Sequence, residues 1–368
     1  MKKQKLSLFL SLIALSSMVF TSCEKTDDAA YTLSNVESTS TIKSISSISN
    51  GVMVLNSGKM NGNNASLTFC NLTTKTSYND FFSGINDRGL GDTGQDMIQY
   101  GSKIYVGVST SSLVEVLNAT TGKSIKSISF VNDANAPRKV RSLAAYNGKI
   151  YLSLYDGHVA RIDTTSLSVE KMIEVGSSPE QIIAANNKLY VVNSMPDSTI
   201  SVIDPVTFTE TKKITVAYNP TMIQADSYGD LYVVSMGNYY DVPITLQRVA
   251  TITDKVTTIS GVTPFNIKLD GDNLYMYSYE YDSNWSIVNK KYMIYNVKSE
   301  SFSNSSFINT ADITGVPYSL DINPTTKEIF IGETDYINPG KMYCFDANGK
   351  LKYTFSTGVN PMKTLFIK

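Results

Sequence analysis

Short apolar segments that contain an aliphatic residue followed by an aromatic one recur along the chain, each introduced by a turn of small polar residues. A second apolar segment and an Asp-containing turn follow each copy. The aromatic positions are 46, 39, 42, 43 and 55 residues apart, at Tyr105, Tyr151, Tyr190, Tyr232, Tyr275 and Phe330. Repeats of roughly 40 to 50 residues that contain four short strands are typical of β-propeller blades. We therefore interpret these repeated aromatics as blade-packing residues.

The same repeat predicts seven innermost strands, and therefore an all-β, seven-bladed β-propeller with four-stranded blades. These strands are expected at Asp96–Tyr100, Arg141–Tyr146, Glu180–Ala184, Met222–Ala225, Phe265–Leu269, Tyr318–Ile322 and Met362–Ile367. The first apolar strand, Val52–Asn56, has no inner strand before it, and the last inner strand has no blade after it. We therefore expect the C-terminal strand to close the first blade. Outside the N-terminus no segment shows sustained helical periodicity.

The N-terminus has the pattern of a signal peptide over residues 1–22. Basic residues come first, and an apolar core from Leu6 to Phe20 is too short and too rich in Ser for a stable membrane span. The core ends in Phe20-Thr21-Ser22-Cys23, which resembles a bacterial lipobox. This resemblance implies cleavage before Cys23 and lipidation of its thiol, which would attach the protein to a membrane. An ordinary secreted protein is the alternative.

Composition divides the rest of the chain into a tether and one folded unit. Residues 23–45 are polar and rich in Ser and Thr, which predicts a flexible tether, and residues 46–368 carry the propeller repeat. With 32 Lys and Arg against 33 Asp and Glu, and no basic cluster, the sequence does not indicate a nucleic-acid-binding protein. Cys70 and Cys344 lie in predicted strands at non-equivalent repeat positions, so we expect buried thiols rather than a disulfide.

Loop length and chemistry indicate one functional face. The loops between second and third strands, together with the connections between blades, are longer than the turns at the other end and contain many aromatic and polar residues. Aromatic rings with polar tips give a large contact area at low entropic cost. The alternative is that some of these rings pack between blades. We predict ligand contacts from Arg88, Tyr155, His158, Met195, Tyr239, Tyr240, Tyr279, Tyr281, Trp285 and Tyr336.

The sequence gives little support for catalysis. His158 is the single histidine, so no histidine cluster is available to bind a metal, and no nucleophile motif accompanies it. We predict a non-enzymatic protein without a cofactor or a metal site.

Three segments of the repeat resemble the YncE-like surface-layer propellers: residues 147–153 (NGKIYLS), 186–194 (NNKLYVVNS) and 199–207 (TISVIDPVT). Together with the lipobox and the acidic stretch of Glu24, Asp27 and Asp28, they resemble surface lipoproteins of the Bacteroidetes, among them the BtuG proteins. Those proteins capture vitamin B12 and related cobamides and pass them to a TonB-dependent outer-membrane transporter. The resemblance implies a lipid-anchored protein on the outer membrane that faces the cell exterior, with cobamide as ligand.

Three other functions remain open at this point. Exposed aromatic rings would serve a surface glycan-binding protein equally well, and a protein-interaction scaffold for a transporter needs no small ligand. A propeller lyase or lactonase would require an acid–base or metal constellation, which this sequence supplies poorly.

Overall fold

The computed structural model describes residues 31–32, 48–74, 76–238, 240–284 and 286–368. A short strand β1 (Tyr31–Thr32) comes first. Blade 1 then contains β2 (Gly51–Asn56), β3 (Ser66–Asn71) and β4 (Thr76–Tyr78), and a helix α1 (Phe81–Asn86) follows. Blade 2 contains β5 (Gly94–Tyr100), β6 (Lys103–Val108), β7 (Leu113–Asn118) and β8 (Ser124–Ser129). Blade 3 contains β9 (Val140–Tyr146), β10 (Lys149–Leu154), β11 (His158–Asp163) and β12 (Val169–Glu174).

Blade 4 contains β13 (Pro179–Ala185), β14 (Lys188–Asn193), β15 (Thr199–Asp204) and β16 (Thr209–Thr215). Blade 5 contains β17 (Pro220–Ala225), β18 (Asp230–Ser235), β19 (Thr245–Ala250) and β20 (Lys255–Ile259). Blade 6 contains β21 (Asn266–Asp270), β22 (Asn273–Tyr281), β23 (Ile287–Asn296) and β24 (Ser301–Phe302). Blade 7 contains β25 (Val316–Ile322), β26 (Ile329–Thr334), β27 (Lys341–Phe345) and β28 (Leu351–Ser356), and the chain ends with β29 (Pro361–Ile367).

The strands form seven sheets, each with four antiparallel blade strands, and one sheet has an additional edge strand. This arrangement confirms the predicted seven-bladed β-propeller. The predicted closure is confirmed as well. The C-terminal strand β29 pairs with β2 from Gly51↔Ile367 to Asn56↔Pro361 and so becomes the innermost strand of blade 1. This pairing covers the inner edge of β2 and joins the two ends of the ring.

Blade 7 carries a fifth strand that the sequence pattern does not indicate. Strand β1 pairs in parallel with the outer strand β28, with Tyr31 opposite Tyr353 and Thr32 opposite Thr354. These two residues belong to residues 23–45, the segment predicted to be a flexible tether. Cys23 and the signal peptide lie outside the described residues.

Helix α1 was not predicted, because the sequence shows no helical periodicity outside the signal peptide. The outer strand of blade 1 is only three residues long, and α1 follows it with Phe81 and Phe82 buried against blades 1 and 2. The helix ends at Asp87, whose φ of 55° is left-handed. Six residues are too few to produce the sustained periodicity that identifies a helix in a sequence.

Apolar clusters between neighbouring blades form the core. Five of the six repeated aromatic residues are buried in these clusters and at most 2% exposed: Tyr105, Tyr151, Tyr190, Tyr232 and Phe330. The sixth, Tyr275, is partly buried and packs against the cluster of blades 6 and 7. Their predicted structural role is therefore confirmed. Cys70 and Cys344 are free and buried in the cluster between blades 7 and 1, and burial raises the pKa of each thiol to about 12.

Candidate ligand-binding face

Exposed apolar side chains are concentrated on one face of the propeller. We call it the loop face; it consists of the loops between second and third strands and the connections between blades. Fourteen large hydrophobic side chains are exposed in the described residues, and nine of them lie on this face: Met60, Val131, Tyr155, Met195, Tyr240, Val242, Tyr281, Tyr336 and Ile337. Three lie at the opposite end, Val206, Tyr228 and Ile252. A concentration of apolar surface of this kind is typical of an interaction site.

Five aromatic rings form a cluster on the loop face where blades 6 and 7 meet. Tyr279 stacks on Phe265 with ring centroids 4.2 Å apart, and the Tyr281 ring contacts Tyr279 edge-on at 5.6 Å. Tyr336 contacts Tyr318 edge-on at 5.9 Å. We call these five residues the tyrosine cluster. Tyr279 is 9% exposed, whereas Tyr281 and Tyr336 are each 45% exposed, so the cluster has a buried base and an accessible edge.

Three phenols of this cluster, those of Tyr279, Tyr318 and Tyr336, have raised pKa values and stay neutral at physiological pH. Burial, with a smaller effect of the neighbouring hydroxyls of Tyr281 and Tyr318, raises the pKa of Tyr336 to about 12. Burial also raises the pKa of Tyr279 well above its usual range. A neutral phenol can both donate and accept a hydrogen bond, so the accessible edge suits an uncharged ligand with polar groups at its rim.

Single Asx side chains hold the loops of blades 5, 6 and 7 in fixed conformations. Asn238 Oδ1 accepts the backbone N–H groups of Tyr240, Asp241 and Val242 at 2.9–3.1 Å. Asp282 Oδ1 accepts two N–H groups at 2.9 Å, from Asn284 and Ser286. Such Asx turns replace missing strand hydrogen bonds and limit the conformations open to the loop. A loop ordered before binding loses less entropy when a ligand arrives.

Asp335 has the same role in blade 7. Its Oδ1 accepts the N–H groups of Ile337 and Asn338 at 2.9 and 2.7 Å, and its Oδ2 accepts the Asn338 amide at 2.6 Å. These hydrogen bonds lower the pKa of Asp335 to about 2, the backbone N–H of Asn338 having the largest effect. The loop also holds Tyr336 in the left-handed region, with a φ of 66°. Asp335 therefore positions the exposed ring of Tyr336.

On the other side of the face, Tyr155 lies over a charged pair. The guanidinium of Arg141 is 5.2 Å from the centroid of the Tyr155 ring. Arg141 also donates to Glu180, from Nε to Oε2 at 2.9 Å and from Nη2 to Oε1 at 2.7 Å. A cation–π contact and a bidentate ion pair together fix the ring in place.

His158 lies at the start of β11, on the loop face but at the third strand rather than at the channel. Its Nδ1 is 3.1 Å from Arg138 Nη1 and 3.2 Å from Asp156 Oδ1. Arg138 also forms an ion pair with Asp156. This network ties the connection between blades 2 and 3 to the β10–β11 turn. Among the described residues no group of His, Cys, Asp and Glu side chains is arranged to hold a metal ion.

The remaining predicted residues are scattered. Met195 is 50% exposed and Tyr240 is 95% exposed, both on the loop face. The structure places Arg88 elsewhere, on the flank of blade 2, because its guanidinium donates to the buried Glu115 at 2.8 Å and to Ser124 at 3.1 Å. Tyr239 and Trp285 lie outside the described residues.

A polar central channel, which the sequence analysis did not identify, lies below the loop face. Its cavity has a volume of about 240 Å³ and is lined by the innermost strands. Polar side chains join these strands at all seven junctions between blades. The pairs are Lys363–Asp96, Asp96–Leu143, Arg141–Glu180, Gln181–Ile223, Gln224–Leu269, Lys268–Asp321 and Asp321–Thr364. The sequence contains a signal for this channel, because these charged residues and glutamines lie within the predicted inner strands.

No helix within the described ranges is long and apolar enough to cross a bilayer.

Comparisons with known proteins give a family and a fold. No curated protein matches the chain. The structure is similar to that of hydrazine synthase from Kuenenia stuttgartiensis, with a TM-score of 0.58, 14% identity and coverage of 69% of this chain and 77% of that one. It is also similar to the computationally designed protein Ika8, with a TM-score of 0.55, 11% identity and coverage of 88% and 98%. At these identities the likeness concerns the fold alone.

The family match covers most of the chain. Residues 50–363 match the family described as a domain of unknown function, DUF5074. This range begins just before β2 and ends within β29, so it spans all seven blades. Together with the seven blades, the match fits a YncE-like propeller. The chain belongs to the DUF5074 family.

Proposed function

We propose that the protein is a binding protein that captures a small-molecule nutrient on its loop face, with cobamide as the ligand. The concentration of nine exposed apolar side chains on this face carries the proposal. A ligand that matches this surface has a broad apolar body and polar groups at its rim.

Cobamide meets these requirements. Its corrin ring is wide and carries amide groups along its periphery. The exposed rings of Tyr281 and Tyr336 offer apolar contact, and the neutral hydroxyl of Tyr336 can form a hydrogen bond with an amide group. Tyr155 offers a further ring across the face. Because Asn238, Asp282 and Asp335 hold three of the loops, ligand binding orders little additional backbone.

The proposal extends to location and partner. Lipidation of Cys23 would anchor the protein to the outer membrane, facing the exterior, and a TonB-dependent transporter would receive the ligand. The lipobox and the resemblance to cobamide-capturing lipoproteins support this part.

Titration of the purified protein lacking residues 1–23 with cyanocobalamin tests the ligand. Removal of these residues leaves every described strand in place. We expect one-to-one binding by calorimetry and co-elution of the coloured ligand in gel filtration. Absence of binding at micromolar ligand would contradict the cobamide proposal. A glycan array would then test the alternative, in which the exposed Tyr240 and Tyr281 rings stack on sugars.

A further inference from the structure

The central channel has a balanced set of charges. Three acidic and three basic side chains line its cavity: Asp96, Glu180, Asp321, Arg141, Lys268 and Lys363. A lining with equal numbers of opposite charges does not select a ligand by net charge. The channel therefore selects a ligand through those of its polar groups that have no hydrogen-bond partner within the protein.

The acidic groups are already engaged. Asp96 Oδ2 accepts from the Ser142 hydroxyl at 2.9 Å and from the Leu143 N–H at 2.8 Å. Asp321 accepts from Lys268 at 2.9 Å and from the Thr364 N–H at 2.8 Å. Glu180 is held by Arg141 through both of its oxygens. These carboxylates link neighbouring blades, and each already has hydrogen-bond donors from the protein.

Lys363 differs from the other two cations. Its Nζ lies 3.8 Å from Asp96 Oδ1, beyond hydrogen-bonding distance, and it makes no hydrogen bond to any described residue. The side chain is 28% exposed, toward the cavity that it lines. Burial lowers the pKa of Lys363, but the charges of Asp96 and Asp321 outweigh this effect and raise it, so the ammonium group stays protonated. Its three N–H donors are available to an acceptor.

Thr221 supplies a second unused group in the same cavity. Its hydroxyl oxygen is buried and has no hydrogen-bond partner within the described residues. A buried hydroxyl without a partner costs free energy, which a ligand that hydrogen-bonds to it recovers.

We propose that the channel is a subsite for a polar arm of the ligand held on the loop face, an arm that ends in a carboxamide or carboxylate group. The Lys363 ammonium donates to the oxygen of that group, and the Thr221 hydroxyl forms the second hydrogen bond. The inference rests on the proposed function, since the arm belongs to the ligand that the loop face binds. A cavity of about 240 Å³ accommodates a short side arm but excludes the body of a corrin. The apolar body then rests on the tyrosine cluster while one peripheral arm descends into the channel.

Three variants of the protein lacking residues 1–23, titrated with cyanocobalamin, test this subsite. Lys363→Met removes the donor and keeps the aliphatic stem, and we expect binding at least about tenfold weaker, as for loss of a hydrogen bond to a charged group. Thr221→Val removes only the hydroxyl, and we expect binding about threefold weaker. Lys255→Met removes an exposed lysine on the outer strand of blade 5 and should leave the affinity unchanged.

Amine acetylation followed by mass spectrometry gives a readout that does not depend on the variants folding. Lys363 should be acetylated in the free protein and protected when cyanocobalamin is bound, whereas acetylation of Lys255 should not change. Binding with unchanged acetylation of Lys363 and an unchanged affinity of Lys363→Met would overturn the subsite and leave the proposed function standing. Failure of the unsubstituted protein to bind cyanocobalamin would overturn both.

Discussion

The side-chain amide of Asn360 donates to the backbone carbonyl of Gly58 at 2.8 Å, across 302 residues of chain. Asn360 Oδ1 accepts from the Thr334 hydroxyl of blade 7 at 2.7 Å, and its backbone carbonyl accepts from the Ser57 N–H at 2.8 Å. One side chain thus joins blade 7 to the loop of blade 1. Asn219 occupies the equivalent place between blades 4 and 5, where it bonds to Ser194 and Gly237.

Replacement of Asn360 should weaken the closure of the ring. Asn360→Ala leaves the buried Thr334 hydroxyl without an acceptor for its proton, so we expect a loss of about 1–3 kcal/mol in the free energy of unfolding. Chemical denaturation measures this difference. Asn348→Ala, in an exposed turn at the opposite end, should change stability by less than about 0.5 kcal/mol. Equal effects of the two substitutions would contradict a specific role for Asn360.

Removal of the last strand should have a larger effect. A chain that ends at residue 360 lacks β29, which exposes an edge of β2 and removes the inner layer between blades 7 and 2. We expect loss of the cooperative thermal transition and aggregation in gel filtration. Removal of Lys368 alone, which lies beyond β29, is the control and should leave the transition unchanged. A folded monomer that ends at residue 360 would show that closure is dispensable.

The sequence predicts the blades well because the periodic signal is local. An aliphatic–aromatic pair such as Leu189-Tyr190 marks a second strand independently of the rest of the ring. Closure follows because the first second strand has no inner strand before it and the last inner strand has no blade after it. Helix α1 and strand β1 give no such signal. The first is too short to be periodic, and the second depends on an edge that blade 7 provides only after folding.

The candidate site was predictable only in part, since a residue's type does not reveal its partner. Tyr279, Tyr281 and Tyr336 come together as a cluster, but Phe265 and Tyr318 join them from strand ends that look structural in the sequence. Arg88 looked available, yet its guanidinium is held by the buried Glu115, which lies 27 residues away in the sequence. Partners of this kind become apparent only when the blades are packed.

Gly237 should be sensitive to substitution because its loop is closed tightly. It has a φ of 62°, and a Cβ placed on it would lie 1.9 Å from the Val242 carbonyl oxygen. Gly271 has a similar φ of 57° with open space around it, which makes Gly271→Ala the matched control. We expect Gly271→Ala to cost about 1–2 kcal/mol for the left-handed backbone and Gly237→Ala to cost clearly more. Thermal denaturation of both variants tests the difference, and equal losses would contradict the steric explanation.

The loop of blade 7 should lose its order at low pH. The pKa of Asp335 is lowered from 3.8 to about 2, so its carboxylate stabilises the folded state above pH 3.8 and loses this effect as the pH falls through about 2. The stability difference between the wild type and Asp335→Ala should therefore be constant from pH 7 to about 4 and shrink below that. Urea denaturation at each pH measures it. A difference that persists unchanged at pH 2 would show that the carboxylate charge does not act through these hydrogen bonds.

Substitutions in the tyrosine cluster test the binding face directly. Tyr281→Ala and Tyr336→Ala each remove an exposed ring from the edge that we propose contacts the ligand, and each should weaken cyanocobalamin binding about tenfold or more, as for other aromatic contacts at binding hot spots. Tyr228→Ala is the matched control, because Tyr228 is 53% exposed but lies at the opposite end of the propeller. Calorimetric titration gives the three affinities. Because the cluster variants keep the buried ring of Tyr279, their melting temperatures should stay close to that of the wild type. Weakened binding by Tyr228→Ala alone would move the site to the opposite face.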